Sequence, residues 1–490
     1  MFIKMYRFSG RVSIIAAFCL LAAVSCSSGG GGGFSASWES RGTLIVPDDS
    51  QSAVADSVIP STSEEARAES CDEVPAGYSP LQNAKVEFLA ADGSVLSTTL
   101  TDRCGYFSAE VDAAVSGVQV IQAGFRTLQR KVDYFQQTAP GLVSMMPEAA
   151  EYQIASIQLA GRDSLAFTVS DSVTNKAVIG LPASAVNVSI NTDAVKVLKY
   201  NNATAVSEPA SVVFVMDASP SMHSVVRDKQ GNDLLDTNGQ SLTRYRMSAL
   251  AAHLYLDGVS DNDETAFVIF DRNAVFMDDA AIADLLELSD SQARPTAYSF
   301  SKDGFSSSAS SLRFVVDAYN PYSTLYNSFA YDARHPATPD LKIANYPWDS
   351  YTAMYDGIFK ALERVSSRTT LRSMVIAMSD GEDNSSTHTE QEVIARARQD
   401  GIPVFTITYG EITGSEQGGA DVASMARIAE QTNATPFLVE GPDIGKAFQS
   451  IQSGIAYQYL AVLDRMVGEG DLLELTLNDG GLTAARSLQP

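Results

Sequence analysis

Two short runs of acidic and hydroxyl residues in this 490-residue chain have the makings of a cation cage. Asp217-Ala218-Ser219-Pro220-Ser221 follows the apolar run Ser211 to Met216, and Ser379-Asp380-Gly381-Glu382-Asp383 follows Met374 to Met378. Thr352 opens a third segment, in which Met354, Ile358, Leu362 and Val365 fall on one helical face. If the two apolar runs are buried strands of an open α/β sheet, Asp217 and Asp380 meet at its carboxyl edge, where such sheets hold ligands. Ser219, Ser221 and Thr352 then add hydroxyls to the two carboxylates, giving the all-oxygen ligand set that a Mg²⁺-type cation takes. With only Asp217 and Asp380 formally charged, the ion stays electron-poor and open to a carboxylate from a partner. A DxSxS run by itself is a surface turn as readily as a site. Three pieces in order, each at a strand end or helix start, point to metal, and the competing reading is a fold that has kept its shape without the ion.

The elements needed to position these groups are legible between residues 208 and 456. Strand-like Ser211–Met216, Thr265–Phe270, Met374–Met378, Pro403–Tyr409 and Pro436–Val439 alternate with helical stretches. Met247, Leu250, Ala251 and Leu254 share one helical face, Thr389-x-x-Glu392 is a capping box, and Asp421–Gln431 and Asp443–Ile455 continue the alternation. Strands alternating with helices predict a doubly wound, Rossmann-like sheet covered on both faces.

Asp217-x-Ser219-x-Ser221, Thr352-Ala353-Met354-Tyr355-Asp356-Gly357 and Met378 through Asp383 resemble the metal-ion-dependent adhesion site of von Willebrand factor A-type domains. Met425-Ala426-Arg427-Ile428-Ala429-Glu430, leading to Pro436–Val439, resembles that family's last helix and strand, so the likeness covers about 208–456. It implies direct ligation of Mg²⁺ (or Mn²⁺ or Ca²⁺) by Ser219, Ser221 and Thr352, with Asp217 and Asp380 direct or through water. It also implies a protein partner with an exposed Asp or Glu. One departure is Asp349-Ser350-Tyr351, which stands where a glycine-rich lead-in to the threonine is usual.

The flanks read as β structure. Residues 78–146, with alternating Ala84–Leu89 and Val95–Leu100 around the Ala91-Asp92-Gly93 turn, resemble a carboxypeptidase regulatory-like β-sandwich, a module without catalytic residues. A second β segment, 152–207, is expected to be completed by strands in 457–490, giving one sandwich split by the α/β domain. Residues 26–77 read as a flexible Gly/Ser/acidic linker in which only Leu44-Ile45-Val46 is strand-like. The fold class is therefore multidomain: a doubly wound α/β domain of the A type plus β-sandwich modules.

The chain opens with an address. Lys4, Arg7 and Arg11 precede the apolar run Val12–Val24, too short for a membrane span and shaped like an export signal over residues 1–25. Leu21-Ala22-Ala23-Val24-Ser25-Cys26 resembles a bacterial lipobox, with Ala23 where leucine is commoner, and implies lipidation at Cys26; the other reading is a plain secretory signal. Ser27 after the cysteine, rather than Asp, favours the outer membrane in a cell that has one. Cys71 and Cys104 remain as an even pair in an oxidising compartment, so a disulfide is expected, against two free thiols or an intermolecular bond. The 59 acidic against 34 basic residues repel nucleic acid and anionic headgroups.

Two insertions modify the α/β plan. Val225–Thr243 carries Asp228, Asp233, Asp236 and Asn238-Gly239 and reads as a solvated acidic loop rather than a calcium loop, since Leu234 would take a first ligand position. Residues 289–349 are aromatic-rich, with Tyr298, Tyr319, Tyr322, Tyr326, Tyr331 and Trp348, and read equally as a recognition surface or a self-packed subdomain. Enzyme readings are weak. The four histidines show no HExxH spacing, and a hydrolase would need His223 and Asp217 in triad geometry without a GxSxG elbow. The expectation is a non-enzymatic, lipid-anchored adhesion protein of the bacterial envelope. The alternatives are an envelope scaffold whose metal only stabilises the fold and, as a minor one, a hydrolase.

Overall fold

The computed structural model describes residues 38–48, 71, 74–75, 77–135, 141–202, 208–227, 231–235, 241–278, 280–281, 303–318, 351–380, 382–409, 422–439 and 444–489. The signal, Cys26 and most of the 26–77 stretch lie outside these residues.

The first unit is a sandwich of two four-stranded sheets. Its strands are β1 (Trp38–Pro47), β2 (Tyr78–Pro80), β3 (Lys85–Ala90), β4 (Val95–Leu100), β5 (Tyr106–Val111), β6 (Val115–Ile121), β7 (Leu128–Lys131) and β8 (Gly141–Ser144). One sheet runs β2-β1-β5 with β8 also on β1, and the other runs β4-β3-β6-β7. Leu44, Val86, Phe88, Phe107, Val118 and Phe135 fill the space between them. Here the expected 26–77 linker is corrected: β1 is a ten-residue strand, and Leu44, Ile45 and Val46 are fully buried. Its polar first half masks it in sequence, yet it pairs with β2, β5 and β8. Cys71 and Cys104 form a disulfide with Cα atoms 5.4 Å apart. The β4–β5 turn beside it is set by Asp102, whose carboxylate accepts from the Cys104 and Tyr106 amides. Gly105 is required there, since its φ is +72° and a Cβ would strike the Leu44 carbonyl.

The chain continues through β9 (Tyr152–Leu159), β10 (Ser164–Asp171), β11 (Val186–Ile190), β12 (Asp193–Val195) and β13 (Val197–Asn202) before entering the α/β unit. That unit holds β14 (Ala210–Asp217), α1 (Arg244–Leu256), β15 (Glu264–Phe270), β16 (Ala274–Phe276), α2 (Ala309–Ala318), α3 (Met354–Val365) and β17 (Arg372–Ser379). After these come α4 (Glu390–Asp400), β18 (Val404–Tyr409), α5 (Val422–Gln431), β19 (Pro436–Val439) and α6 (Ile444–Ala456). The strand order is β16-β15-β14-β17-β18-β19, parallel except for β16. Every residue of β14 is buried, as a sheet covered on both faces demands. Val212, Phe214 and Met216 face α1, α2 and α6, while Val213 and Val215 face α3, α4 and α5. The Thr389/Glu392 capping box opens α4, and left-handed Gly401 ends it.

The last strands, β20 (Tyr459–Leu463), β21 (Leu473–Asp479) and β22 (Leu482–Leu488), return to the strands that precede the α/β unit. They form the sheets β13-β20-β10-β9 and β12-β11-β21-β22 around a second core containing Phe167, Val188, Leu475 and Leu477. The α/β unit is thus inserted into a β-sandwich. Its attachment is at the amino-terminal edge of the parallel sheet. Ile157 donates to the Asn433 carbonyl, Thr435 to that of Ala155, and Arg486 to that of Ala434. Arg372, at the start of β17, holds both crossings of the chain, donating to the carbonyl of Glu208 on the way in and of Ile455 on the way out. The carboxyl edge of the sheet therefore points away from the sandwich.

The aromatic-rich 289–349 stretch is corrected in part. Residues 303–318 belong to the α/β core: Leu312, Val315 and Val316 of α2 are buried in one helical layer, and Phe305 packs with Phe276 in the other. Tyr298, Tyr319, Tyr322, Tyr326, Tyr331 and Trp348 lie outside the described residues. The described parts of 225–243 also differ from a solvated loop. Val226 and Leu242 are buried, and amide–carbonyl bonds run Val226 to Leu242, Leu234 to Val226 and Leu242 to Leu234. Among the described residues, no helix is long and apolar enough to cross a membrane.

Candidate metal centre

Asp217 is the last residue of β14, in parallel register with Phe270, and the preceding Met216 is in register with Met378. This sets Asp217 beside Ser379 and Asp380 at the carboxyl edge. The Asp217 side chain is fully buried, with one oxygen accepting from the Ser219 amide (2.7 Å) and the other from the Ser379 hydroxyl (2.5 Å). Ser219 then leads into a 3₁₀ turn over Pro220–His223, closed by Met222 and Ser224 amides donating to the Ser219 and Ser221 carbonyls. That turn brings the Ser219 and Ser221 hydroxyls to 2.9 Å, and Ser221 Oγ donates to Asp380 Oδ1 at 2.6 Å. Asp217, Ser219, Ser221 and Asp380 thus form one continuous hydrogen-bonded chain. Burial, then the charge of Asp380, pushes the Asp217 carboxyl well above the usual carboxylate range.

Thr352 reaches this edge by its backbone anchors. The following amide, that of Ala353, donates to the carbonyl of Asp271, just past β15 (2.6 Å). Thr352 itself exchanges bonds with Asn384, past β17: its amide donates to Asn384 Oδ1 (2.7 Å) and its carbonyl accepts from the Asn384 amide (3.1 Å). Since β14 lies between β15 and β17, the Thr352 segment bridges over the end that carries Asp217. Thr352 is itself 6% exposed. Helix α3 has no cap of its own, because Ala353 stands at its N-cap. Asp383 supplies one from the neighbouring loop, accepting from the Tyr355 amide (2.9 Å) and from Ser386, whose hydroxyl accepts from the Asp356 amide. Asp356 returns the favour to the same loop. Burial pushes its carboxyl up, but the Thr387 and His388 amides and the His388 ring outweigh this and hold it below the usual range.

Four contributors were not among the expected ligands. Ser379 and Asp383 lie within the quoted Asp380 run and Asn384 follows it, so position alone could have suggested them. Arg244 could not have been found that way. It opens α1, its amide donates to the Ser224 carbonyl (3.0 Å), and its guanidinium donates to Asp380 Oδ2 at 2.6 Å. Asp380 side-chain exposure is 0% and that of Arg244 is 19%. The side chain of His223 lies outside the described residues, so the triad reading gains no geometry.

The donor set suits a hard cation. Two buried carboxylates flank two linked hydroxyls, with Asp380 bonded to Ser221 Oγ and Asp217 to the Ser219 amide, every side-chain ligand atom is oxygen, and Arg244 is the cationic partner seen on Asp380. Two buried anions beside one another are costly unless offset by positive charge, which a divalent ion held there would supply. Among the described residues, no group of three or more His, Cys, Asp or Glu side chains is placed to hold a metal ion, so any ligand set here draws on hydroxyls as well.

No protein-family model matches the sequence, and no curated protein matches it. Among solved structures the chain is similar to the PilB minor pilin from Streptococcus sanguinis, with 11% identity over 85% of this chain and 92% of that one and a TM-score of 0.33. It is also similar to a von Willebrand factor type A protein from Catenulispora acidiphila (12% identity, 70% of this chain, 74% of that one, TM-score 0.30). A third is the conserved hypothetical protein BatB from Bacteroides thetaiotaomicron (14% identity, 50% and 97%, TM-score 0.31).

Proposed function

We propose that this chain is a non-enzymatic adhesion protein of the bacterial envelope, anchored through Cys26, that engages a protein carboxylate at a cation held by Asp217, Ser219, Ser221, Thr352 and Asp380. The observation that carries this reading is the buried chain Asp217–Ser219–Ser221–Asp380 at the edge of the sheet remote from the sandwich. A Mg²⁺ or Mn²⁺ ion bound there would supply a Lewis-acidic position for an Asp or Glu of the partner. Ser219 and Ser221 offer oxygens held in place by their turn. Ser379 and the Ser219 amide fix both oxygens of Asp217, and Asn384 with Asp271 fixes the Thr352 segment. The resemblance of the three motif pieces to the A-type adhesion site supports the same assignment.

The test is capture of partners from envelope material by the full chain in Mg²⁺, Mn²⁺ or EDTA. Cation-dependent capture that disappears in Asp217→Ala is expected; capture indifferent to EDTA and to the substitution would sink the reading. The complete burial of Asp217 and of the Asp380 side chain favours one second reading, an envelope scaffold in which the ion only stabilises the fold. Chelation would then lower the melting temperature without releasing any bound protein below it.

A further inference from the structure

Arg244 occupies a position that helix physics disfavours. It is the first residue of α1, where the aligned peptide dipoles place partial positive charge, so a cation there is repelled by its own helix. Nothing in α1 needs it, because Thr243 already caps the helix by accepting from the Arg246 amide. What the position provides is reach. The 225–243 excursion closes with the Arg244 amide on the Ser224 carbonyl, three residues past Ser221, and the side chain crosses to Asp380 Oδ2. The Tyr409 ring, 5.6 Å from the guanidinium carbon, lines its path. Asp380 is left with one oxygen on Ser221 and the other on a permanent positive charge, for a guanidinium does not lose its proton in proteins.

We propose that Arg244 is a positioning residue that sets how tightly this site holds its cation and what net charge the occupied rim presents. The inference rests on the metal reading above and deepens it. Arg244 draws on the same carboxylate that the cation needs and repels the cation as a like charge, so it weakens loading. It also places a guanidinium charge beside the occupied site that a neutral residue there would not supply. A partner carboxylate meets that added charge as well as the ion, so cation and partner each favour the other's binding. The site is built to hold its ion loosely when alone and firmly when engaged.

Mn²⁺ alone is the probe, titrated calorimetrically into the full chain and followed in parallel by the loss of free-ion EPR signal. Arg244→Gln and Arg244→Met, two neutral replacements of different polarity, are each expected to bind Mn²⁺ about tenfold more tightly or better. Arg244→Lys, which keeps the charge, should tighten binding less than either. Near-UV circular dichroism identifies a variant that has lost its fold, and the other neutral variant then decides. Equal or weaker Mn²⁺ binding by a folded neutral variant overturns the proposal and leaves the metal reading standing. Absence of Mn²⁺ binding at millimolar concentration in wild type and variants alike overturns both.

Discussion

The two edges of the six-stranded sheet each set an arginine beside buried acid, with different charge balance. At the amino-terminal edge, Arg372 lies against Asp263 (3.5 Å) and donates to the carbonyls of Glu208 and Ile455, while Asp263 also accepts from the Ala210 amide. One cation meets one anion and a set of backbone dipoles. Burial lowers the Arg372 pKa and raises that of Asp263, the mark of a pair held out of water rather than exposed to it. At the carboxyl edge, Arg244 bonds Asp380, which Ser221 and Ser219 connect to a second carboxylate, Asp217, held by the Ser219 backbone amide. A balanced cluster has what it needs to hold structure together. An unbalanced one has room for further positive charge, and on the proposal above that difference separates a clasp from a binding site.

Removing the clasp should produce the largest effect. Arg372→Leu strands Asp263 in the interior and leaves the Glu208 and Ile455 carbonyls without their donor, just where the chain enters and leaves the α/β unit. A loss of about 3–5 kcal/mol is expected, read as a large drop in denaturation midpoint, with the cation affinity of the remaining folded protein unchanged. A stability loss below about 1 kcal/mol would mean that the two edges differ less than their charge balance implies.

The opposite sign is expected at the other edge. In protein stripped of divalent ions, Asp217→Asn removes one of two repelling buried carboxylates. The amide oxygen still accepts from the Ser219 backbone, and its NH₂ donates to Ser379, whose hydroxyl accepts as readily as it donates. The melting temperature should therefore hold or rise by a few degrees in EDTA, while the stabilisation that wild type gains from Mg²⁺ is lost. A variant melting well below wild type in EDTA would show that the acid pair is a structural cluster like the one at the base.

The same contrast explains what could be read from sequence. Asp217 and Asp380 were legible because each ends an apolar run of strand length, and parallel pairing of those runs makes their ends converge. Ser219 and Ser221 follow from their spacing after Asp217. Arg244 was not legible. It stands at the wrong end of a helix for its charge, and its partner is on another strand, so only the tertiary path of the 225–243 excursion joins them. β1 was hidden for a related reason. Trp38 to Thr43 is mostly polar, and the strand exists because β5, β2 and β8 offer pairing edges, with Gly42 fitted where a Cβ would meet the rings of Phe107 and Phe135. Residues 303–318 misled in the other direction, since their aromatic and serine-rich texture conceals a helix whose Leu312, Val315 and Val316 belong to the main core.

The smallest effect concerns the support of Thr352 rather than any charge at the rim. Helix α3 starts without a capping side chain, and Asp383 serves as its cap across a gap in sequence, which couples the Asp380 loop to the Thr352 segment. Asp383→Ala removes the acceptor for the Tyr355 amide and for Ser386, at a cost of about 1 kcal/mol, as for other lost caps. Because the same loop holds Thr352 through Asn384, Mn²⁺ affinity should fall as well, by a few-fold rather than completely. At the base, the same size of stability loss should leave Mn²⁺ affinity untouched. Thr435→Val, which deletes the bond to the Ala155 carbonyl, makes that control. If both variants lose stability equally and neither changes the Mn²⁺ titration, then the Asp271 side of its anchorage suffices to place Thr352, and the coupling between the two loops is packing without consequence for the ion.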